Sequence, residues 1–343
     1  MSTSTKAPAS VPVSAPETPE RRALGRPIPA EGQDGLFTQS WFPICRSDEV
    51  KAGEVVGRDF LGGRVVVFRP LDAPVQVLSG YCAHLGADLS RSDVVDDAMV
   101  CPLHRWRWDS TGHCVATGTG LLDEPPASAR LFPFPTAERY GLVWAFNGRE
   151  PLWQLPDLRF PDDELVIHVG ELGVDLAIDP FVFAANTMDM QHLQALHGVA
   201  FDPEFLVDDR YFTYTEFSSF VDMSGNMRGT DLSTVSGVWG TSFFTLEGEI
   251  DGEWFAVLDA LALPSPQRTQ VFIVGFSHAP AGNEQKARRA FQWEYDVLME
   301  DIEVLASLHF RPGPLTRSDT HVAKFFEYLR RYPRAHPSAD FIT

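Results

Sequence analysis

Two short segments of the chain each carry one cysteine and one histidine: Cys82-Ala-His84 and, 16 residues further on, Cys101-Pro-Leu-His104. Two thiolates and two imidazoles suit a soft-metal site, either a structural zinc ion or a [2Fe-2S] cluster with mixed ligation. A zinc finger more often groups its cysteines together and its histidines together. Here each loop can instead give its Cys to one iron and its His to the other. Gly86 and Pro102 suit tight loops whose backbone N–H groups point at sulfur, and Trp106 and Trp108 would shield a cluster from water. Chance spacing of this kind is rare, well below ~1%. The other two cysteines, Cys45 and Cys114, read as small buried hydrophobes.

A second set lies in Asn186-Thr-Met-Asp189-Met-Gln-His192-Leu-Gln-Ala-Leu-His197-Gly198. Asn186, Asp189 and His192 are three apart and would share one helical face. His192 and His197 are five apart, about 140° on a straight helix, too far to grip one ion. Both can bind if the helix is distorted or ends before His197, and Gly198 suits such an ending. Two histidines and one carboxylate would hold ferrous iron with positions open for oxygen chemistry. His-x4-His pairs also occur without metal, and Asp189 alone would pass as a solvated helix residue.

The carboxylate must come from elsewhere, and the long C-terminal helix offers Glu294, Asp296, Glu300, Asp301 and Glu303. Its apolar stripe reads Phe291, Tyr295, Leu298, Ile302, Leu305. Glu294 lies about 60° from the stripe centre and Asp301 about 80°, whereas Asp296, Glu300 and Glu303 lie about 120° or more away. Periodicity leaves Glu294 and Asp301 and does not separate them.

The elements around these sets divide the chain. Residues 1–35 are rich in Pro, Ser and Ala and read as a disordered tail. Residues 36–156 read as a small all-β unit, with strands at Arg64–Arg69, Val75–Leu78, His113–Ala116 and Gly141–Phe146. Residues 157–343 mix a helical segment at 180–197, strands at 211–221, 234–247, 253–263 and 268–276, and helices at 284–308 and 319–331. Gly225-Asn226, Asp251-Gly252 and Pro264-Ser-Pro266 read as meander turns.

The formal net charge of the 343 residues is −19. Residues 157–343 hold 29 acidic and 13 basic groups, so the excess sits in the second half. That excludes nucleic acid as a partner and a polybasic membrane surface. With no long apolar run and no secretory leader, no membrane span is expected and a cytoplasmic location follows by default.

With both sets in view, the sequence resembles the catalytic subunit of the Rieske non-haem iron oxygenases over about residues 37–335. The motifs are Cys82-Ala-His84-Leu-Gly-Ala-Asp-Leu, Cys101-Pro-Leu-His104-Arg-Trp-Arg-Trp and Asn186-x-x-Asp189-x-x-His192-x4-His197. The phrases Cys-x-His-Leu-Gly-Ala-Asp-Leu and Thr136-Ala-Glu-Arg-Tyr-Gly-Leu-Val-Trp144 look most like monooxygenase-type members, such as 3-ketosteroid hydroxylases, aminopyrrolnitrin oxygenase and prodiginine oxidative cyclases. The resemblance implies an α+β protein: a Rieske [2Fe-2S] β-sandwich domain, then a helix-grip (START/Bet v 1-like) catalytic domain whose curved antiparallel sheet wraps a long helix.

The resemblance also selects the third ligand. The family's carboxylate opens a D-x-x-φ-φ run (φ apolar), which Asp301-Ile-Glu-Val-Leu305 matches. It makes Asp189 a link between His192 and His104 of the partner subunit, in a ring that is usually a homotrimer. Cys82, His84, Cys101 and His104 would hold the [2Fe-2S] cluster. His192, His197 and Asp301 would hold mononuclear Fe(II), with Asn186 beside them. The implied reaction takes O2 and electrons from an external ferredoxin or reductase and oxidises a small, largely apolar organic substrate. Hydroxylation, N-oxygenation and oxidative cyclisation all remain open. Arg105 and Arg107 would help to dock an acidic ferredoxin. The alternative class is an iron-sulfur electron-transfer protein without oxygenase activity.

Overall fold

The computed structural model describes residues 25–118, 124–278 and 284–343. The expected tail therefore lies outside the described residues up to residue 24. Residues 25–35 are held in place. Gly25 N–H donates to Pro312 O at 2.8 Å, and Glu31, 2% exposed, accepts from Thr38 N and Oγ1.

The N-terminal unit consists of short antiparallel sheets. One runs in the order Pro133–Phe134, Gln76–Ser79, Gly63–Arg69, Glu54–Phe60; a second runs Thr136–Arg139, Leu142–Phe146, Trp41–Arg46. A third, Asp93–Val95, Ala98–Val100, Arg107–Trp108, Cys114–Ala116, carries the second Cys/His segment. The run Arg64-Val-Val-Val-Phe68 is apolar without alternation because both its faces are covered. Val65 and Val67 pack with Phe42, Val77 and Val143, whereas Val66 and Phe68 pack with Cys82, Met99, Cys101 and Trp108. A strand buried on both sides loses the period-2 signal.

The second unit is an eight-stranded antiparallel sheet. Its order is Leu165–Glu171, Arg268–His278, Glu253–Ser265, Phe243–Ile250, Thr230–Trp239, Ser218–Met227 and Val199–Ala200, with Phe212–Tyr214 also paired to Ser218–Met227. One face packs on the N-terminal unit, where Trp41, Tyr140, Trp144 and Phe146 meet Phe243, Leu258, Ala260 and Phe276. The other face carries the helix Glu284–Leu305, here α3. Gly275 sets its approach. A Cβ there would lie 2.3 Å from Ala287 O and Phe291 N, so only glycine lets the helix backbone come this close.

Four expectations change. The run 211–221 is not one strand but two, Phe212–Tyr214 and Ser218–Met227, which pair antiparallel with Phe212 opposite Val221. The segment 180–197 is broken into α1 (Pro180–Ala184), a 3-10 turn at Ala185–Met188 and α2 (Met190–Ala195), so Asn186, Asp189 and His192 do not share one regular helical face. The run 234–247 spans two strands, Thr230–Trp239 and Phe243–Ile250. The intervening turn has Gly240 at φ 60 and is flanked by apolar residues on both sides, which hid it. Gly225-Asn226 is not a turn but lies inside Ser218–Met227, and the chain reverses at Arg228-Gly229. Gly225 is needed there because the short strand Val199–Ala200 lies alongside: a Cβ would stand 3.0 Å from Ala200 O.

The C-terminus returns to the first unit. Phe37–Thr38 pairs with Arg334–Ala335, and Ile342 is buried with Phe37, Phe60 and Phe134. Among the described residues no helix is long and apolar enough to cross a membrane.

Candidate metal centres

The two Cys/His segments form matching loops. Cys82 N–H donates to Ala87 O and Gly86 N–H to Cys82 O; Cys101 N–H donates to Trp106 O and Arg105 N–H to Cys101 O. The fifth residue of each loop has positive φ, Gly86 at 73° and Arg105 at 60°. The loops thus present their side chains alike. Both cysteines are buried, His84 is exposed and His104 is half-buried. The His84 and His104 rings lie 4.7 Å apart, and Trp106 stacks flat on His84 at 4.2 Å.

These residues fit a two-iron cluster better than a single ion. A zinc ion with bonds near 2.0–2.3 Å would gather its ligand atoms to within about 4 Å of one another. Among the described residues, the set of three or more that closes to within 4.8 Å is His192, His197 and Asp301; the cluster residues pair Cys with Cys and His with His. Burial pushes the Cys82 thiol up to about 11, so a thiolate there calls for bound cationic metal. His84 N–H and the otherwise orphaned Trp108 indole N–H both face the Cys82 sulfur, as donors to a charged sulfur would. Cys45 is fully buried and its thiol is pushed up to about 12 by burial, so it stays inert. Arg105 and Arg107 are not free charges: they pair with Asp93 at 2.9 Å and Asp96 at 3.1 Å. Leu85 and Leu103, 68% and 55% exposed, leave the loop tips apolar.

The second centre is assembled from α2, the turn after it, and α3. Helix α2 ends at Ala195, and Gly198 at φ 69 redirects the chain. His197 thereby leaves the helix and swings to the same side as His192, the two rings 5.3 Å apart. Asp301 Oδ1 lies 3.2 Å from His197 Nε2 and 3.7 Å from His192 Nε2. Both outer nitrogens are occupied: His192 Nδ1–H donates to the Asp189 carbonyl at 2.6 Å, and His197 Nδ1–H to Glu300 Oε2 at 3.0 Å. With Nδ1 protonated on each ring, two Nε2 lone pairs and one carboxylate converge. Such a cluster of acceptors repels itself unless a cation sits among them, which fits ferrous iron.

The carboxylate of Asp189 itself takes a different part. Its Oδ1 accepts from Gln191 and His192 N–H, capping α2. Asn186 lines the cavity next to His192. Helix α3 shows why periodicity left two candidates. Its buried residues are Ala287, Ala290, Glu294, Leu298, Asp301, Ile302 and Leu305, while Phe291 and Tyr295 are only partly covered. The helix is thus rotated toward its carboxylates, and both Glu294 and Asp301 point inward. Asp301 meets the histidines.

Two functional neighbours escaped sequence reasoning. Glu300 lies far from the apolar stripe, yet it reaches His197 from the helix edge because His197 lies beyond the end of α2. Asp259 had a readable signal, a lone acid in Ala256-Val-Leu-Asp-Ala-Leu-Ala-Leu263. The cavity opens beside the metal set and is walled by Phe183, Met223, Phe244, Leu246, Trp293 and Leu298. Of the aromatic residues in the sheet, Phe244 faces the cavity while adjacent Phe243 faces Trp144, 5.4 Å away, on the opposite side.

Comparison with known proteins gives the chain its relatives. Residues 40–120 match the family described as Rieske [2Fe-2S] domain. The chain is 29% identical over 204 residues to aminopyrrolnitrin oxygenase PrnD of Pseudomonas fluorescens, covering 56% of this chain and 55% of that protein. It is 29% identical over 181 residues to cholesterol 7-desaturase nvd of Bombyx mori, covering 52% and 38%. The matches thus span about half or less of these relatives' length. Among solved structures, NdmA of Pseudomonas putida CBB5 superposes with TM-score 0.66 at 19% identity, covering 85% of this chain and 89% of that one. Dicamba monooxygenase bound to dicamba superposes with TM-score 0.65 at 20% identity, covering 86% and 97%. The chain therefore carries a Rieske [2Fe-2S] domain and is a relative of the Rieske-type oxygenases.

Proposed function

We propose that the chain is the catalytic subunit of an O2-dependent oxygenase, fed single electrons by an external ferredoxin or reductase. The observation that carries this reading is the convergence of His192, His197 and Asp301 at the head of an apolar cavity, in a chain that also has a cluster domain. When bound, the [2Fe-2S] cluster supplies electrons one at a time and the ferrous ion supplies O2 binding and activation.

The protein's own residues do the rest. Cys82 and Cys101 keep their sulfurs in the core, while His84 and His104 lie toward the surface where electrons enter and leave. Trp106 and Trp108 exclude water from that site. The Asp189 carbonyl and Glu300 fix the ring orientation of His192 and His197. The cavity wall admits an apolar organic substrate, whose oxidation takes the form of hydroxylation, N-oxygenation or oxidative cyclisation.

In this reading Asp189 links His192 to His104 of the partner subunit in a homotrimer. The half-exposed position of Asp189, with only one carboxylate oxygen used by the cap, supports that role. An iron-sulfur electron carrier without oxygen chemistry is not favoured, because the inward-facing set of two histidines and a carboxylate would then have no use.

The test is iron stoichiometry followed by turnover. Three irons and two sulfides per chain are expected, with O2-dependent product formed from a surrogate reductase and a panel of amine, terpenoid and pyrrole substrates. Two irons per chain, unchanged by Asp301→Ala, would overturn the reading.

A further inference from the structure

The cavity wall contains a pair of acids that the metal set does not use. Asp259 lies on the strand Glu253–Ser265 and points inward with Val257 and Leu261, while its neighbours Leu258 and Ala260 face the N-terminal unit. It is 0% exposed. Among the described residues, neither of its oxygens meets an amide, hydroxyl or cationic donor. Its polar neighbour is the carboxyl of Glu294 on α3, 4% exposed and within hydrogen-bond reach. Both line the same cavity as His192, His197 and Asp301.

Two buried carboxyl groups this close stand together by sharing a proton. Burial and mutual repulsion hold Asp259 well above the usual carboxylate range, and burial raises Glu294 to about 7. Near neutral pH the pair gains or loses its second proton easily, and in either state it keeps unspent lone pairs. Among the described residues no lysine or arginine lines the cavity to answer them, and most of the wall is apolar. Buried acceptors of this kind are costly unless a partner arrives.

We propose that the Asp259–Glu294 pair is the polar recognition element of the substrate cavity, accepting hydrogen bonds from the nitrogen of an otherwise apolar amine. The inference rests on the reading of this cavity as the oxygenase's substrate site and names its substrate class. An ammonium group suits the pair better than a hydroxyl does. It brings a positive charge and several donors, whereas a hydroxyl brings one donor and no charge. Apolar rings would fill the space walled by Phe183, Phe244 and Trp293. The pair would orient the molecule by its nitrogen, leaving another part of it facing His192, His197 and Asp301.

The test is equilibrium binding, without turnover, of 1-aminoindane, 1-indanol and indane to the full-length iron-loaded protein, read by tryptophan fluorescence. The amine is expected to bind roughly tenfold or more tightly than the alcohol and the hydrocarbon, as for a charge-assisted hydrogen bond in a desolvated site. Asp259→Asn and Glu294→Gln, which keep size and shape, should each bring the three affinities to within about threefold. Either variant suffices if the other fails to fold, and a retained third iron per chain together with a cooperative urea transition reports folding of the altered unit. Equal affinities in the unaltered protein, an alcohol bound as well as the amine, or an amine preference that survives the substitutions overturns the proposal. A protein with three irons and no amine preference loses this inference but not the oxygenase reading. A protein lacking the third iron loses that reading.

Discussion

His197 donates its Nδ1 proton to Glu300 Oε2 at 3.0 Å, and Glu300 is clamped from the other side by Arg228 at 2.6 and 2.9 Å. Arg228 in turn bonds Leu196 O, one residue before the histidine. The Arg228 guanidinium holds the Glu300 carboxyl down at about 2, so it remains an acceptor. The chain of contacts fixes both the tautomer and the ring plane of His197. Removing it should loosen the metal without removing a ligand. Glu300→Gln and Arg228→Ala should each weaken iron binding at the mononuclear site by roughly 10–100-fold. Iron titration against a competing chelator measures this, with the cluster absorbance as an internal control.

Asp301 and Glu294 share the buried face of α3, but only Asp301 meets the two histidines. Asp301→Ala should lower the iron content from three to two per chain and abolish turnover. Glu294→Gln should leave three. Iron and sulfide analysis of the two variants separates the carboxylates that periodicity could not.

Asp189 has two separable tasks under the proposed function: it caps α2, and it would link the two metal sites across subunits. Asparagine caps a helix about as well as aspartate does, whereas alanine costs roughly 1 kcal/mol. Asp189→Asn should therefore keep stability and iron content while slowing electron transfer from the reduced cluster. Asp189→Ala should lose both. Stopped-flow reoxidation of the reduced cluster by O2 and substrate, beside a denaturation curve, distinguishes the two. Rapid reoxidation in Asp189→Asn would remove the proposed link.

Glu31 anchors the segment before the first sheet, accepting from Thr38 with Arg334 3.6 Å away. Burial outweighs the pull of Arg334 and raises its carboxyl from 4.5 to about 7. The folded protein therefore keeps a proton that the unfolded chain has released between these values. Its stabilising contribution is full below the unfolded value, falls as pH rises and is gone above about 7. The change is on the order of 3 kcal/mol. Glu31→Gln should flatten this slope: urea midpoints of the two proteins should converge or cross between pH 5 and pH 8.

Local features were legible in the order of residues. The four residues proposed to hold the [2Fe-2S] cluster, Cys82, His84, Cys101 and His104, sit in two loops each closed by hydrogen bonds within six residues, which is why short-range spacing singled them out as candidates. Gly198 likewise made a helix end near His197 a natural expectation, and in the structure its positive φ turns the chain there. The long amphipathic helix and the last two sheet strands followed from length and period. Contacts between elements distant in sequence were settled by packing alone. Which face α3 buries depends on how closely Gly275 lets it approach the sheet, a matter of backbone contact that no side-chain pattern encodes. That rotation brings Glu294 against Asp259 on a strand 35 residues earlier and Glu300 against His197 more than 100 residues earlier. A buried acid pair and a ligand-orienting carboxylate exist only once packing has excluded water and chosen partners. Until then Asp259, Glu294 and Glu300 are three of the 47 acidic residues in an acidic chain.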